Sequence, residues 1–167
     1  MKSVLAPILG ALLVALAAVS GHAAEGRKPV PASRSEAAGA EQLRKQALRG
    51  NARAQTELGF RYATGHGVPQ NRDQAFYWYS RAAEQGDPDG QYLLGLAYDK
   101  GHGVTSDAVR AYMWLNLAAA RSTRRATYYT RIRDAVASKL TLAQLERGQW
   151  LATQWRPVAS RARAVAP

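Results

Sequence analysis

The chain has 167 residues, of which 47% are hydrophobic and 8% aromatic, and its formal net charge is +11 at pH 7. This length suits one domain or a short array of repeats and excludes two independent enzyme lobes. The alanine-rich apolar content favours closely packed helices, while the absence of cysteine excludes disulfides, thiolate zinc sites and cysteine nucleophiles. The basic residues form no single run, and their excess favours an acidic partner.

The amino-terminal segment has the parts of a secretory signal peptide. A basic n-region precedes an apolar run over residues 4–19, and Gly21 and Ala23 supply small residues at positions −3 and −1 of a cleavage site. The run is shorter than the roughly 20 residues of a transmembrane helix, and no later segment is expected to span a bilayer. We therefore expect residues 1–23 to be removed on export, which leaves a periplasmic or secreted protein starting at Ala24.

Both ends of the exported chain are predicted to lack regular structure. Residues 24–35 are rich in Gly, Pro, Ala, Ser and basic residues without periodicity, which predicts a flexible leader. Residues 156–167 contain no large aliphatic anchor and predict a disordered basic tail.

An internal duplication fills the middle of the chain. A shift of 36 residues aligns residues 50–85 with residues 86–121 without a gap, and 13 of the 36 positions are identical. The identical positions lie at helical spacings, which indicates two copies of one helical unit. The matched pairs are Gly50/Gly86, Gln55/Gln91, Leu58/Leu94, Gly59/Gly95, Tyr62/Tyr98, Gly65/Gly101, His66/His102, Gly67/Gly103, Val68/Val104, Ala75/Ala111, Trp78/Trp114, Ala82/Ala118 and Ala83/Ala119.

Capping residues predict two helices in each unit. In the first unit Asn51 is an N-cap, Gly65 ends the first helix as a left-handed residue, and Asn71 begins the second helix. Each unit is therefore an αα-hairpin joined by a Gly-His-Gly-Val turn. The corresponding residues of the second unit are Asp87, Gly101, and Ser106 or Asp107.

A glycine in the middle of each first helix predicts a close helix crossing. Gly59 and Gly95 cost about 1 kcal/mol relative to alanine, so we expect another helix to pass too near for a Cβ atom. The small residues expected to face these glycines are Ala82, Ala83, Ala118 and Ala119.

The two units resemble the Sel-one-like repeat (SLR), a relative of the tetratricopeptide repeat. The pattern Ala-Gln-x-x-Leu-Gly-x-x-Tyr-x-x-Gly-x-Gly-Val, then Ala-x-x-Trp-x-x-x-Ala-Ala, runs from Ala54 to Ala83 and recurs up to Ala119 with Gly90 replacing the first alanine. The resemblance implies an all-α, right-handed α-solenoid of αα-hairpin repeats over residues 36–155. It also implies a non-enzymatic module that binds proteins or peptides.

Partial units are expected on both sides of the two repeats. A degenerate half-repeat precedes them, while residues 122–155 resemble the carboxy-terminal helical cap of exported family members. The cap is predicted to contain a helix over residues 123–139 and a final helix opened by a capping box of Thr141 and Gln144. In the half-repeat Leu43, Ala47 and Gly50 fall where Tyr79, Ala83 and Gly86 fall in the first unit.

Residues with catalytic or metal-binding chemistry form no recognisable constellation. His66 and His102 are equivalent turn residues that could approach each other, but neither a cysteine nor a recurring carboxylate completes a metal site. No spaced pair of carboxylates recurs in both units, and no phosphate-binding loop is present. We therefore expect no catalytic residue, metal or cofactor. The hypothesis that the protein is an envelope hydrolase would rest on analogy of fold alone.

The first-helix face of the two units is the expected partner-binding surface. Phe60 and Leu96 are equivalent, and they either form the apolar floor of a peptide groove or pack between the repeats. We therefore expect a protein or peptide partner in the cell envelope. The candidate residues are Arg53, Glu57, Phe60 and Arg61 in the first unit, and Asp89, Leu93, Leu96 and Lys100 in the second.

A group of arginines supports an alternative function as a polyanion-binding envelope module. Basic residues at helical spacings of three, four and seven, with Tyr128 among them, predict one cationic stripe on the capping helices. The stripe would either bind acidic proteins, anionic lipids or other envelope polyanions, or act only as a solubilising face. The predicted export excludes nucleic acid as the partner. The stripe consists of Arg121, Arg124, Arg125 and Arg131.

Overall fold

The computed structural model describes residues 34–158, which form seven α-helices and no strand. The all-α prediction is therefore confirmed for this part of the chain. The predicted signal peptide, residues 1–23, lies outside the described residues. In chain order the helices are α1 (Arg34–Leu48), α2 (Ala52–Thr64), α3 (Arg72–Glu84), α4 (Pro88–Lys100), α5 (Ala108–Arg121), α6 (Ala126–Ala137) and α7 (Leu142–Gln154).

The predicted terminal segments fall only partly within the described range. Helix α1 begins at Arg34, so the last two residues assigned to the flexible leader are helical. Residues 155–158 follow α7 and are not helical, but the Val158 N–H donates a hydrogen bond of 2.7 Å to the carbonyl oxygen of Glu84. This part of the predicted disordered tail therefore contacts the array. Residues 24–33 and 159–167 lie outside the described residues.

The predicted capping residues define the two hairpins. The Asn51 and Asp87 side chains accept hydrogen bonds from backbone N–H groups three residues later, at 2.9 and 2.8 Å, and thereby begin α2 and α4. Asn71 and Asp107 cap α3 and α5 in the same way. The predicted boundaries of the first and second helices are therefore confirmed, and Asp107 rather than Ser106 is the cap.

The close crossing predicted at the mid-helix glycines exists, but its partners differ from those expected. A Cβ atom on Gly59 would lie 2.7 Å from Cδ1 of Tyr79, and one on Gly95 would lie 2.7 Å from Cγ of Leu115. The two helices of one hairpin therefore touch at these points. The prediction that Ala82, Ala83, Ala118 and Ala119 form the facing surface is wrong, because α2 and α4 cross the middle of the next helix and not its end.

The buried alanines at the end of α3 instead form the joint between repeats. Ala82 and Ala83 are fully buried, and a Cβ atom on Gly90 of α4 would lie 2.8 Å from the Ala82 Cβ. Beside them the Gln91 amide donates a hydrogen bond of 3.3 Å to the Ala83 carbonyl, as Gln55 does at 3.0 Å to Ala47. The joint between α1 and α2 thus repeats the joint between α3 and α4, which supports the predicted half-repeat.

The turn of each hairpin rests on the second helix of the preceding unit. A Cβ atom on Gly67 would lie 2.9 Å from the carbonyl oxygen of Glu36 in α1, and one on Gly103 would overlap the carbonyl oxygen of Arg72 in α3. Glu36 and Arg72 are 36 residues apart. The turns therefore hold successive units together at equivalent points.

The last two helices both pack against α5. Helix α6 begins at Ala126, later than predicted, because Ser122 has extended backbone angles and its Oγ accepts a 3.0 Å hydrogen bond from the Arg125 N–H. The capping box of Thr141 and Gln144 at the start of α7 is confirmed. The role of the two helices as a terminal cap stays a prediction.

Candidate functional site

A groove opens where the first repeat meets the second. It lies among α2, α3, α4 and the turn after α4, and its volume is about 230 Å³. We call it the inter-repeat groove. The residues that line it are Phe60, Ala63, Arg72, Ala75, Tyr79, Leu93, Leu96, Ala97 and His102.

Three of the predicted partner-binding residues supply large apolar side chains to the lining of the inter-repeat groove. Phe60 is 45% exposed, whereas Leu93 and Leu96 are half-buried, and Leu93 packs against the core. The two interpretations of Phe60 and Leu96, as the floor of a peptide groove or as packing between the repeats, both stay predictions. Phe60 is an exposed ring, and Leu96 is a half-buried side chain that lines the groove.

The other predicted partner-binding residues do not line the inter-repeat groove. The Glu57 carboxylate lies 3.4 Å from Nε of Arg61, and Lys100 Nζ lies 3.1 Å from a carboxylate oxygen of Asp99. Arg53 is exposed near the start of α2. The charges of Glu57, Arg61 and Lys100 are thus engaged within the array.

Two basic residues that line the inter-repeat groove are not among the predicted partner-binding residues. Arg72 is the first residue of α3, and His102 lies in the turn after α4. Burial lowers the pKa of His102, and the positive charges of Arg72 and Lys100 lower it further. On sequence grounds His102 was considered only as a possible metal ligand beside His66. A comparison of Arg72 with its counterpart Glu36, 36 residues earlier, is the signal that singles out this position.

The two repeats and their structural relatives fix the family. The Sel1 repeat family matches residues 52–87 and 88–122, which are the two hairpins with their following joints. A Sel1 repeat protein from Oxalobacter formigenes, solved by crystallography, is 44% identical over 56% of this chain and 69% of its own, with a TM-score of 0.52. This chain belongs to the Sel1 repeat family.

A second solved structure extends the likeness beyond the two Sel1 repeats. A protective antigen of uropathogenic Escherichia coli with an SLR fold is 31% identical, with a TM-score of 0.69 over 78% of this chain. The match covers 29% of that antigen, so the present chain spans less than a third of its length. No curated protein matches the chain.

Sel1 repeats generally mediate protein–protein interaction.

Asp89, another predicted partner-binding residue, is held by the helix that follows the Sel1 repeats. Its carboxylate accepts a hydrogen bond from the Tyr129 hydroxyl and lies 3.0 Å from Nη1 of Arg125. Burial raises the pKa of Tyr129 to about 12, with Asp89 adding to this effect and Arg125 opposing it. The Tyr129 ring also stacks on Tyr92 of α4, with centroids 4.4 Å apart. Asp89 therefore joins α4 to α6.

The arginines predicted as a cationic stripe do not lie along one helix. Residues 122–125 interrupt the helical path between α5 and α6, so the spacing argument that aligned the four side chains was wrong. Arg121 lies over the Trp155 ring, with Cζ 4.7 Å from the centroid, and Arg125 is paired with Asp89. Arg124 and Arg131 are exposed and form no ion pair with another described residue.

A wider polar cavity of about 600 Å³ lies among α5, α6 and α7. Its charged residues are already paired, since Arg133 lies 2.7 Å from the Asp134 carboxylate and donates to Asn116 at 3.3 Å. Within residues 34–158 no group of three or more His, Asp or Glu residues is placed to hold a metal ion. The same range contains no helix with the length and apolar character needed to cross a bilayer.

Proposed function

We propose that this protein is a non-enzymatic adaptor that binds a segment of a partner protein in the inter-repeat groove. The observation that carries the proposal is the exposed Phe60 ring beside Leu93 and Leu96 in a groove open to solvent. A volume of about 230 Å³ is below the roughly 300–1,000 Å³ of pockets for drug-sized molecules. The groove therefore suits one or two apolar side chains of a polypeptide.

We further propose that the adaptor works in the cell envelope, in the periplasm or after secretion. The support for this location is the signal-peptide pattern of residues 1–23, with its apolar run and small residues before Ala24. The partner is then an envelope or extracellular protein.

Site-specific crosslinking tests the groove as the binding surface. The photoreactive analogue p-benzoylphenylalanine replaces Phe60 in one variant and Tyr77 in the control, because Tyr77 is 49% exposed on α3 and does not line the groove. Irradiation of cells that make tagged protein should yield a discrete adduct from position 60 only, which mass spectrometry then identifies. Adducts of equal yield from both positions, or from position 77 alone, would contradict the proposal.

Alanine substitutions then measure what the groove contributes to the affinity. We expect Phe60→Ala to weaken binding of the identified partner on the order of tenfold, because apolar anchors dominate such interfaces. Leu96→Ala should act in the same direction, and Leu142→Ala, which removes a leucine 72% exposed on α7, is the matched control. Titration calorimetry gives the affinity and circular dichroism the helicity. Unfolding of Phe60→Ala would assign the ring to the core and overturn the proposal.

A further inference from the structure

We propose that the inter-repeat groove selects partner segments in which an acidic residue adjoins the apolar anchor, with Arg72 and His102 as the groups that recognise the carboxylate. This inference rests on the proposed function, because it names the chemistry of the segment that enters the groove. It adds a specificity that the Sel1 repeat pattern does not contain, since Arg72 lies at a position where the two repeats differ.

The charges around the groove favour an acidic ligand. None of the residues that line it carries a carboxylate, and Arg72 forms no ion pair or hydrogen bond with another described residue. His102 feels the positive charges of Arg72 and Lys100. The remaining titratable group in the lining, Tyr79, has its pKa raised by burial and by the charge of Glu57, so it stays a neutral phenol.

The equivalent joint between α1 and the first unit shows that the fold does not require a positive charge at the position of Arg72. In the first unit the equivalent turn residue, His66, has Nε2 4.0 Å from Oε1 of Glu36. Glu36 and Arg72 occupy the same place, since the turn glycine of the following hairpin rests on the carbonyl of each. The same joint thus tolerates an acid or a base beside the histidine, and the base occurs where the apolar groove opens.

The chemistry of these groups matches a carboxylate at the rim. A guanidinium presents planar paired donors that suit a carboxylate, and a hydrogen bond between charged groups is stronger than a neutral one. Because the groove has room for only one or two apolar side chains, the residue next to the anchor would lie at the rim. The full chain has a net charge of +11, which becomes +10 when Lys2 is removed with the predicted signal peptide, and this charge also attracts an acidic partner at long range.

His102 makes this recognition dependent on pH. Burial, Arg72 and Lys100 hold the pKa of His102 below its usual value, so the imidazole is neutral in the free protein at pH 7. A bound carboxylate favours the imidazolium, and the complex therefore takes up a proton. Affinity should rise as the pH falls from 7.5 to 5.5, while Asp and Glu side chains of the ligand remain charged.

A peptide selection tests the proposal before the partner is identified. The protein from residue 24 onward is panned against random 12-residue peptides displayed on phage. Its variants Phe60→Ala, Arg72→Glu and Arg131→Glu are panned in parallel. We expect the unmodified protein to enrich apolar residues flanked by Asp or Glu, and Arg72→Glu to lose this bias or favour Lys and Arg. Arg131→Glu changes the net charge equally on an exposed part of α6 and should retain the acidic bias.

The outcomes separate the inference from the proposed function. Apolar enrichment without acidic bias, abolished by Phe60→Ala, would overturn the inference and leave the adaptor function intact. Enrichment that Phe60→Ala does not change would overturn both. An acidic bias lost equally in Arg72→Glu and Arg131→Glu would show attraction by net charge and would also overturn the inference.

Affinity measurements on the best enriched peptide complete the test. Arg72→Ala should weaken binding by about two- to fivefold, the range of an exposed ion pair. Binding to the unmodified protein should be tighter at pH 5.5 than at pH 7.5, and His102→Ala should abolish this difference while His66→Ala retains it. A pH dependence that survives in His102→Ala would overturn the role of that histidine.

Discussion

Gly103 meets two separate constraints at the turn between α4 and α5. Its φ angle is 73°, in the left-handed region that disfavours side chains, and a Cβ atom there would overlap the Arg72 carbonyl oxygen. Gly50 has a similar φ of 89°, but apart from Gly50 itself and its two chain neighbours no residue has an atom within 4 Å of the position its Cβ would take. A substitution at Gly50 therefore measures the cost of the left-handed backbone alone. The same substitution at Gly103 adds the cost of the clash with α3.

We expect Gly50→Ala to destabilise the fold by about 1–2 kcal/mol, the cost of a left-handed conformation for a residue with a side chain. Gly103→Ala should cost about 1–3 kcal/mol more, because the turn must also move away from α3. Urea unfolding followed by circular dichroism measures both free energies. Equal losses in the two variants would show that the turn does not press on the preceding unit.

Predictions for single residues succeed where the two interacting groups lie within one turn of helix in the sequence. Asn51 and Asp87 cap helices through hydrogen bonds to residues three positions later, which spacing alone reveals. Arg72 and His102 meet at one groove only because two units pack at a fixed joint, and 30 residues separate them. Phe60 and Leu96 were found because the duplication places them at equivalent positions.

Helix α5 is the element on which both terminal helices depend. On α7, Gly148 approaches it so closely that a Cβ atom would lie 2.7 Å from Cδ1 of Tyr112 and 3.3 Å from the Val109 carbonyl oxygen. This mid-helix glycine resembles Gly59 and Gly95, but it lies outside the duplication, so no repeated pattern singles it out in the sequence. The prediction of an arginine stripe was also wrong in this part of the chain, because α5 ends at Arg121 and Ser122 has extended backbone angles.

Gly148→Leu should detach α7 from α5 while the repeats stay folded, because the new side chain collides with Tyr112. We expect a loss of about 1–3 kcal/mol in local stability. Hydrogen exchange followed by mass spectrometry should show faster exchange in peptides from α7 and unchanged exchange in α2 to α4. Ala143→Leu, at an exposed position of the same helix, should leave every segment unchanged. Uniformly faster exchange along the array would instead show that α7 supports the whole fold.

At the scale of the whole molecule, the proposed location depends on the first 23 residues. We predict that the exported protein begins at Ala24, because Gly21 and Ala23 supply the small residues that signal peptidase requires. Intact mass measurement on the periplasmic fraction of a Gram-negative host checks this. Leu12→Arg, which interrupts the apolar run, should retain the full-length protein inside the cell. Recovery of unmodified protein starting at Met1 from the periplasm would contradict the assignment.

The joints between units also determine how such a molecule can change its length. The first unit offers the second a pair of small residues, a backbone carbonyl for a glutamine amide and another carbonyl on which the next turn rests. A unit copied in frame between Gln85 and Gly86 would meet these features on both sides. Growth by whole-unit duplication would therefore need no compensating change in the core, and each new copy would bring a further groove whose specificity a single residue at the Arg72 position could alter.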